Sequence, residues 1–237
     1  MARYDIPQDV PFTPAVAAGD QVAAFLRSVY GWMCAGLAIT AATAWLVSGS
    51  PGIVMAIATN RLLFWGLMIA QLGIVFALSA RVHRLAPATA SLLFIAYSAL
   101  TGVTLSFVLL VYTRESIAST FIVTSGTFGA LALFGTTTRR SLDGLGQFLF
   151  MGLVGVVLAS IVGIFWQNDA FQFVLSFIGV IVFAGLAAYD AQRLKAMALA
   201  TPAGQSGSYA IVGALALYLD FVNLFLFLLR FMGGRRD

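Results

Sequence analysis

The sequence predicts an all-α integral membrane protein with seven transmembrane helices. Of its 237 residues, 61% are hydrophobic and only 9% are charged, and the mean hydropathy is +0.97. Uncharged runs recur along the chain. Several of them reach the roughly 20 residues that an α-helix needs to cross a hydrocarbon core about 30 Å thick. Lipid is therefore the expected solvent for most of this chain.

The seven predicted spans follow one another through the chain. The first runs from about Val29 to Val47 and stops at the turn-forming residues 48–52, Ser-Gly-Ser-Pro-Gly. The segment from Ile53 to Thr59 is too short to cross, so it is expected to begin the second hairpin or to lie at the interface. The later spans are the uncharged runs 62–80, 85–113, 116–138, 144–168 and 170–189, and a last one from about Tyr209 to Arg230.

The chain divides into a short polar N-terminal tail (1–28), one transmembrane domain (29–230) and a short basic C-terminal tail (231–237). With seven spans, one side holds eight basic residues before the tail: Arg3, Arg27, Arg81, Arg84, Arg139, Arg140, Arg193 and Lys195. The opposite loops hold Arg61 and Arg114. This asymmetry predicts a cytoplasmic N-terminus. Arg230, Arg235 and Arg236 then fall outside if the last helix spans fully, and a last segment that re-enters and returns is the alternative.

Several function classes are disfavoured by composition. The net charge is +4, but the basic residues are spread between helices and do not form one patch, so a nucleic-acid partner is not expected. A single cysteine, Cys34, and a single histidine, His83, make a transition-metal site improbable. We expect no cofactor. Small residues at four-residue spacing are expected to pack helices closely: Gly31 and Ala35, and Gly155, Ala159 and Gly163.

Two carboxylates stand where the surrounding sequence predicts hydrocarbon. Asp190 ends a twenty-residue uncharged run, and Asp220 interrupts the apolar segment from Ala210 to Leu229 near its middle. A charged Asp at the centre of a bilayer helix costs about 3 kcal/mol on insertion scales, so it usually faces a polar cavity, a partner or an ion path. Asn223 lies one turn after Asp220 on the same face and is a candidate supporting residue.

The chemistry of the two aspartates depends on whether they meet. In low dielectric, like charge opposes ionisation of both carboxyl groups, so a contacting pair is expected to share a proton and to sense pH. When both ionise, Asp190 and Asp220 offer hard oxygen ligands for a weak Ca²⁺ site that water or carbonyls would complete. The alternative is that each Asp is satisfied separately, by Tyr189, Asn223, an arginine or backbone groups, and only fixes the helix register.

Two C-terminal segments resemble the signature of the Bax inhibitor-1 family, also called the transmembrane Bax-inhibitor-motif family. They are residues 188–195, AYDAQRLK, and residues 216–225, ALYLDFVNLF. Residues 100–106, LTGVTLS, and 134–142, FGTTTRRSL, are also family-like. The resemblance covers about Tyr30 to Arg230 and is strongest to the bacterial branch, which implies the bacterial inner membrane as the location.

The resemblance implies a seven-helix fold with the last helix central, and a pH-sensitive calcium leak. Its proton-sharing aspartate pair falls on Asp190 and Asp220. The resemblance also implies an arginine, here called the latch, that pairs with the first aspartate in the closed state. This arginine corresponds to Arg84 or Arg81. The implied partners are the lipid bilayer, Ca²⁺ as the permeant ion, and H⁺.

Two other functions stay open at this point. One is an interaction protein that modulates a membrane-bound quality-control protease, with the segment from Met1 to Gln21 as the contact. The other is an intramembrane aspartyl protease, in which two Asp would activate water. The enzymatic alternative is weak because Leu219 and Phe221 flank Asp220 where such enzymes carry a glycine, so we predict that the protein is not an enzyme.

Overall fold

The computed structural model describes residues 14–82, 85–166, 168–201, 206–234 and 236, with side chains from residue 19 onward. Within these ranges the regular structure is helical apart from an isolated bridge residue at Tyr112. The helices are α1 (Pro14–Ser48), α2 (Pro51–Thr59), α3 (Arg61–Ala80), α4 (Pro87–Val111), α5 (Arg114–Thr137), α6 (Asp143–Phe165), α7 (Asp169–Ala200) and α8 (Ser206–Met232).

All of these helices except α2 are long and apolar enough to span a bilayer, which confirms the predicted fold class. The short α2 occupies the segment that was predicted not to cross. It carries no buried residue and has a proline in its first turn, where the missing N–H costs nothing. Asn60 then caps α3 through its side chain, whose Oδ1 accepts hydrogen bonds from the backbone N–H groups of Leu62 and Leu63 at 3.0 and 3.2 Å.

The prediction of a tail over residues 1–28 is wrong from Pro14 onward, because α1 begins there, and residues 1–13 lie outside the described part. Phe25 and Val29 are buried one turn apart, so this part of α1 has a core-facing side despite its charges. The Gln21 amide Nε2 donates to the Ala198 carbonyl at 2.9 Å and holds α1 against the end of α7. α7 also runs beyond the predicted span, to Ala200, which shortens the connection to α8.

The helix connections collect at two ends of the bundle, here called the proximal end, where α1 begins, and the distal end, where α8 finishes. At the proximal end Ser208 Oγ donates to the Leu85 carbonyl at 2.8 Å. At the distal end the Thr113 backbone N–H donates to the Gly234 carbonyl at 3.2 Å. α8 therefore runs the full length of the bundle, and the alternative of a re-entrant last segment is wrong.

The last helix is central, as predicted. In its most apolar window 72% of the residues are buried, against 39% for α7 and less for every other span. α8 packs against α1, α3, α4, α5 and α7. α6 packs chiefly against α7 and faces α8 across a cavity. The central helix α8 thus has one side that is only partly covered by protein.

Glycines set how closely α7 approaches its neighbours. A Cβ at Gly135 of α5 would overlap the backbone of Ala188, and a Cβ at Gly146 of α6 would overlap the ring of Tyr189. Gly31 and Gly155, which were predicted to pack, face open space, so that prediction is wrong for both. A four-residue spacing places small residues on one face but does not say whether that face meets protein or lipid.

Candidate aspartate-pair site

Asp190 and Asp220 come together between α7 and α8. Their carboxyl groups lie within hydrogen-bonding range of each other. Asp220 is 5% exposed, and its Oδ2 has no hydrogen-bond donor among the described residues. A hydrogen bond between two carboxyl groups needs a proton on one of them. The contact therefore cannot be a hydrogen bond while both carboxyl groups are ionised.

The pair borders a cavity of about 510 Å³ between α6, α7 and α8. The polar residues that line it with the aspartates are Asp143, Gln147, Tyr189, Arg193 and Asn223. On α6 the lining extends from Asp143 to Val157, about 21 Å along the helix at 1.5 Å per residue. Since Asp143 and Arg193 are exposed at the proximal end, the cavity connects that end with the partly exposed Asp190 and the buried Asp220.

Asn223, the candidate supporting residue, lines this cavity. Its Nδ2 donates to the Leu219 carbonyl at 2.8 Å, the residue one turn earlier in the same helix. The amide therefore satisfies a local backbone acceptor and makes no direct hydrogen bond to either aspartate in the described structure. Its contribution to the cavity is a polar wall next to Asp220.

Of the two predicted latch arginines, the structure describes Arg81 alone, and Arg81 does not lie at the pair. Arg84 and His83 lie outside the described residues. Arg81 is exposed at the end of α3, a helix that does not line the cavity. Among the described residues, the cation that lines the cavity is Arg193, one turn after Asp190, and its positive charge attracts the Asp190 carboxylate. The i+3 spacing of Asp190 and Arg193 is visible in the sequence, but there Arg193 counted only as one of the basic residues that predict the orientation.

Two contacts fix α7 beside the cavity. The Gln192 side chain bridges to the α5–α6 connection, since its Oε1 accepts from the Leu142 backbone N–H at 2.8 Å and its Nε2 donates to the Arg140 carbonyl at 2.9 Å. On the other side, the Leu194 side chain lies against Gly213 of α8, where a Cβ would overlap it. The part of α7 that carries Asp190 is therefore held from both sides. No pattern in the sequence indicated this role of Gln192.

The opposite face of α8 carries a buried hydroxyl network. The Tyr218 hydroxyl lies 2.6 Å from Thr40 Oγ1, and Thr40 donates to the Ser98 carbonyl at 2.8 Å. Because the one Thr40 hydrogen is used on Ser98, Tyr218 is the donor to Thr40. Tyr218 precedes Asp220 by two residues, which places the two side chains on nearly opposite sides of the helix. The network ties the central helix to α1 and α4.

The fold and this site define a polytopic integral membrane protein whose central helix carries the buried Asp220, next to the partly exposed Asp190 of α7. The family model described as "Inhibitor of apoptosis-promoting Bax1" matches residues 22–237, nearly the whole chain. The chain belongs to this family, as its C-terminal motifs indicated.

Relatives in distant bacteria support the assignment over the same length. The chain is 49% identical over 215 residues to the inner membrane protein YbhL of Escherichia coli K12, with 90% of this chain and 92% of the relative covered. It is 43% identical over 219 residues to an uncharacterized protein of Deinococcus radiodurans, with 92% and 93% covered. An uncharacterized protein of Borreliella burgdorferi is 42% identical over 215 residues, with 90% and 93% covered.

Proposed function

We propose that this protein is a pH-sensitive calcium leak of the bacterial inner membrane, with its N-terminus in the cytoplasm. The observation that carries the proposal is the contact between Asp190 and Asp220 beside a cavity that extends to the proximal end. Carboxylates buried at bilayer depth are costly and usually serve an ion or proton path. The basic residues at the proximal end favour the cytoplasm for that side.

The proposed gate is the proton on the pair. When Asp190 is ionised it pairs with an arginine, and the path is closed; when Asp190 is protonated the arginine is released, and the path opens. Asp220 then keeps the negative charge that attracts Ca²⁺. The resemblance suggests Arg84 or Arg81 as the latch, whereas Arg193 is the described cation at the cavity.

The Ca²⁺ site in this proposal is weak and transient. Ca²⁺ prefers six to eight oxygen ligands, and Asp190 and Asp220 supply only part of that number. The cavity of about 510 Å³ has room for water molecules that would complete the coordination shell. Weak binding suits permeation, because an ion that is held tightly cannot leave.

The test is Ca²⁺ flux into proteoliposomes that contain the purified full-length chain. We expect flux from the wild type and a strong reduction in Asp220→Asn. Asp169→Asn is the matched control, because Asp169 starts the same helix as Asp190 but is exposed at the distal end, away from the cavity. A wild type without flux would overturn the proposal in favour of the interaction protein. In that case, removal of residues 1–21 would abolish partner binding.

A further inference from the structure

A groove runs along the outside of the bundle between α1 and α5. Three cavities follow one another along it, with volumes of about 440, 240 and 650 Å³ from the proximal to the distal end. The first and second share Leu37, Phe121 and Phe221 as lining residues, and the second and third share Trp45, Leu109 and Ile117. The shared walls make them parts of one groove.

The floor of the groove is the central helix. Phe221, Val222 and Phe225 of α8 line the middle cavity, while α1, α4 and α5 form its sides. Thr40 is the polar residue of this lining, and its hydroxyl is already used by Ser98 and Tyr218. The middle part of the groove therefore offers hydrocarbon and aromatic surface.

The chemistry changes at the distal end of the groove. There the lining includes Arg114, Arg236, Ser48 and Ser50. The two serine hydroxyls donate to carbonyls of their own turn, those of Trp45 and Leu46, at 2.9 and 3.1 Å. The arginines make no ion pair among the described residues, so their guanidinium groups are the donors available to a ligand.

The position of Arg236 is fixed by the backbone. Its N–H donates to the Val111 carbonyl at 2.9 Å, and Gly234 N–H donates to Ser116 Oγ at 2.9 Å. These bonds seat the C-terminal segment on the α4–α5 connection, near the start of α5, where Arg114 is the first residue. The two cations are therefore brought to one end of the groove by parts of the chain more than a hundred residues apart.

The dimensions match one leaflet of a bilayer. From Leu37 to Ser48, α1 advances about 16 Å at 1.5 Å per residue, which is close to half of a hydrocarbon core about 30 Å thick. An apolar surface of this length is complementary to an acyl chain. The two cations at the water boundary are complementary to the phosphate at the end of that chain. Guanidinium groups bind phosphate through paired, charge-assisted hydrogen bonds.

We propose that this groove binds one diacyl phospholipid with an anionic headgroup. The phosphate lies between Arg114 and Arg236, and an acyl chain lies in the middle cavity against Phe221 and Phe225. Among the described residues, the lining at the phosphate end holds two positive charges and no carboxylate, so it complements a net negative headgroup and offers no anionic partner to the ammonium of a zwitterionic one.

The headgroup is tested by native mass spectrometry of the full-length chain with phosphatidylglycerol or phosphatidylethanolamine of identical acyl chains. We expect phosphatidylglycerol to bind at least about tenfold more tightly than phosphatidylethanolamine, and Arg114→Gln/Arg236→Gln to remove this preference. Arg61→Gln is the control, because Arg61 is an exposed arginine at the start of α3 that does not line the groove. Equal binding of both lipids by the wild type would overturn the proposal.

The acyl chain is tested with a photoreactive phosphatidylglycerol that carries a diazirine on one chain. In the wild type we expect labelling of the α1, α4, α5 and α8 residues that line the groove. This measurement needs no variant that could misfold. Ala41→Trp should block labelling because Ala41 lines the middle cavity, whereas Ala42→Trp, at an exposed neighbour outside that lining, should not. Labels spread over all the lipid-facing helices, unaffected by Ala41→Trp, would mean adventitious lipid contact only and would overturn the proposal.

Discussion

The hydroxyl groups of Tyr218 and Thr40 lie 2.6 Å apart in the interior of the bundle, on the side of α8 that faces away from Asp220. Tyr218 is fully buried, and its ring also packs edge-to-face against Phe94 and Tyr97 with ring centroids 5.8 Å apart in both pairs. One face of the central helix is thus bound firmly to α1 and α4, while the other borders the cavity. The packed side of α8 holds this helix in place, and the opposite side presents Asp220 to the cavity. This arrangement keeps the Asp220 carboxyl group at a fixed depth in the bundle.

This network predicts a loss of stability in Tyr218→Phe. The substitution keeps the ring packing but removes the donor to Thr40, and a lost buried hydrogen bond costs about 1 kcal/mol. Thermal unfolding in detergent should therefore shift to lower temperature. Tyr30→Phe is the control, because Tyr30 makes no hydroxyl hydrogen bond in the described structure. Equal unfolding temperatures for Tyr218→Phe and the wild type would contradict this account of the network.

Two glycine substitutions should have opposite effects. Gly135→Ala places a methyl group on the backbone of Ala188, which cannot turn aside as a side chain can, so we expect a loss of about 1 to 3 kcal/mol. Gly155→Ala adds a methyl group in open space and should raise stability slightly, because Ala loses less backbone entropy than Gly in a helix. The measurement is thermal unfolding of the two variants and the wild type in the same detergent. Similar shifts in both would mean that α5 and α7 are not packed this closely.

The spans were predictable from sequence because hydropathy over about 20 residues is a local property. Which face of each helix packs against protein was not predictable, because Gly155 and Gly135 look alike in the sequence until the neighbours of each helix are known. In the same way, the α7 spacing of Asp190 and Arg193 predicted that they lie on adjacent turns. Arg193 lines a cavity because of the distance between α6 and α8. The sequence contains no pattern from which this distance can be predicted.

The membrane orientation is tested by reporter fusions at three positions. A reporter at the N-terminus should report the cytoplasm, while reporters inserted at Asp169 and at the C-terminus should report the opposite side. The first expectation rests on the basic residues of the proximal end. The third rests on the course of α8 through the whole bundle. A C-terminal reporter on the same side as the N-terminal one would contradict the fold.

The arginine that closes the path can be identified by charge removal. If Arg193 is the cation that pairs with ionised Asp190, Arg193→Gln should raise Ca²⁺ flux at alkaline pH toward the wild-type level at acidic pH. If the latch is Arg84 or Arg81, the double variant of those residues should do so instead. Arg140→Gln is the control for surface charge, because Arg140 is exposed at the same end outside the cavity lining. If neither variant changes flux at alkaline pH, pairing of Asp190 with these arginines does not close the path.

The most direct test of the shared proton is the pH dependence of Ca²⁺ flux in proteoliposomes for the wild type, Asp190→Asn and Asp220→Asn. We predict that wild-type flux rises steeply as the pH falls through about pH 8 to 6, because protonation of the pair releases the arginine. Asp190→Asn should leak at every pH, since an amide mimics the protonated acid, and Asp220→Asn should show weak flux without a pH response. If either single variant keeps the full pH dependence of the wild type, the shared-proton mechanism is wrong, and the two aspartates serve the structure alone.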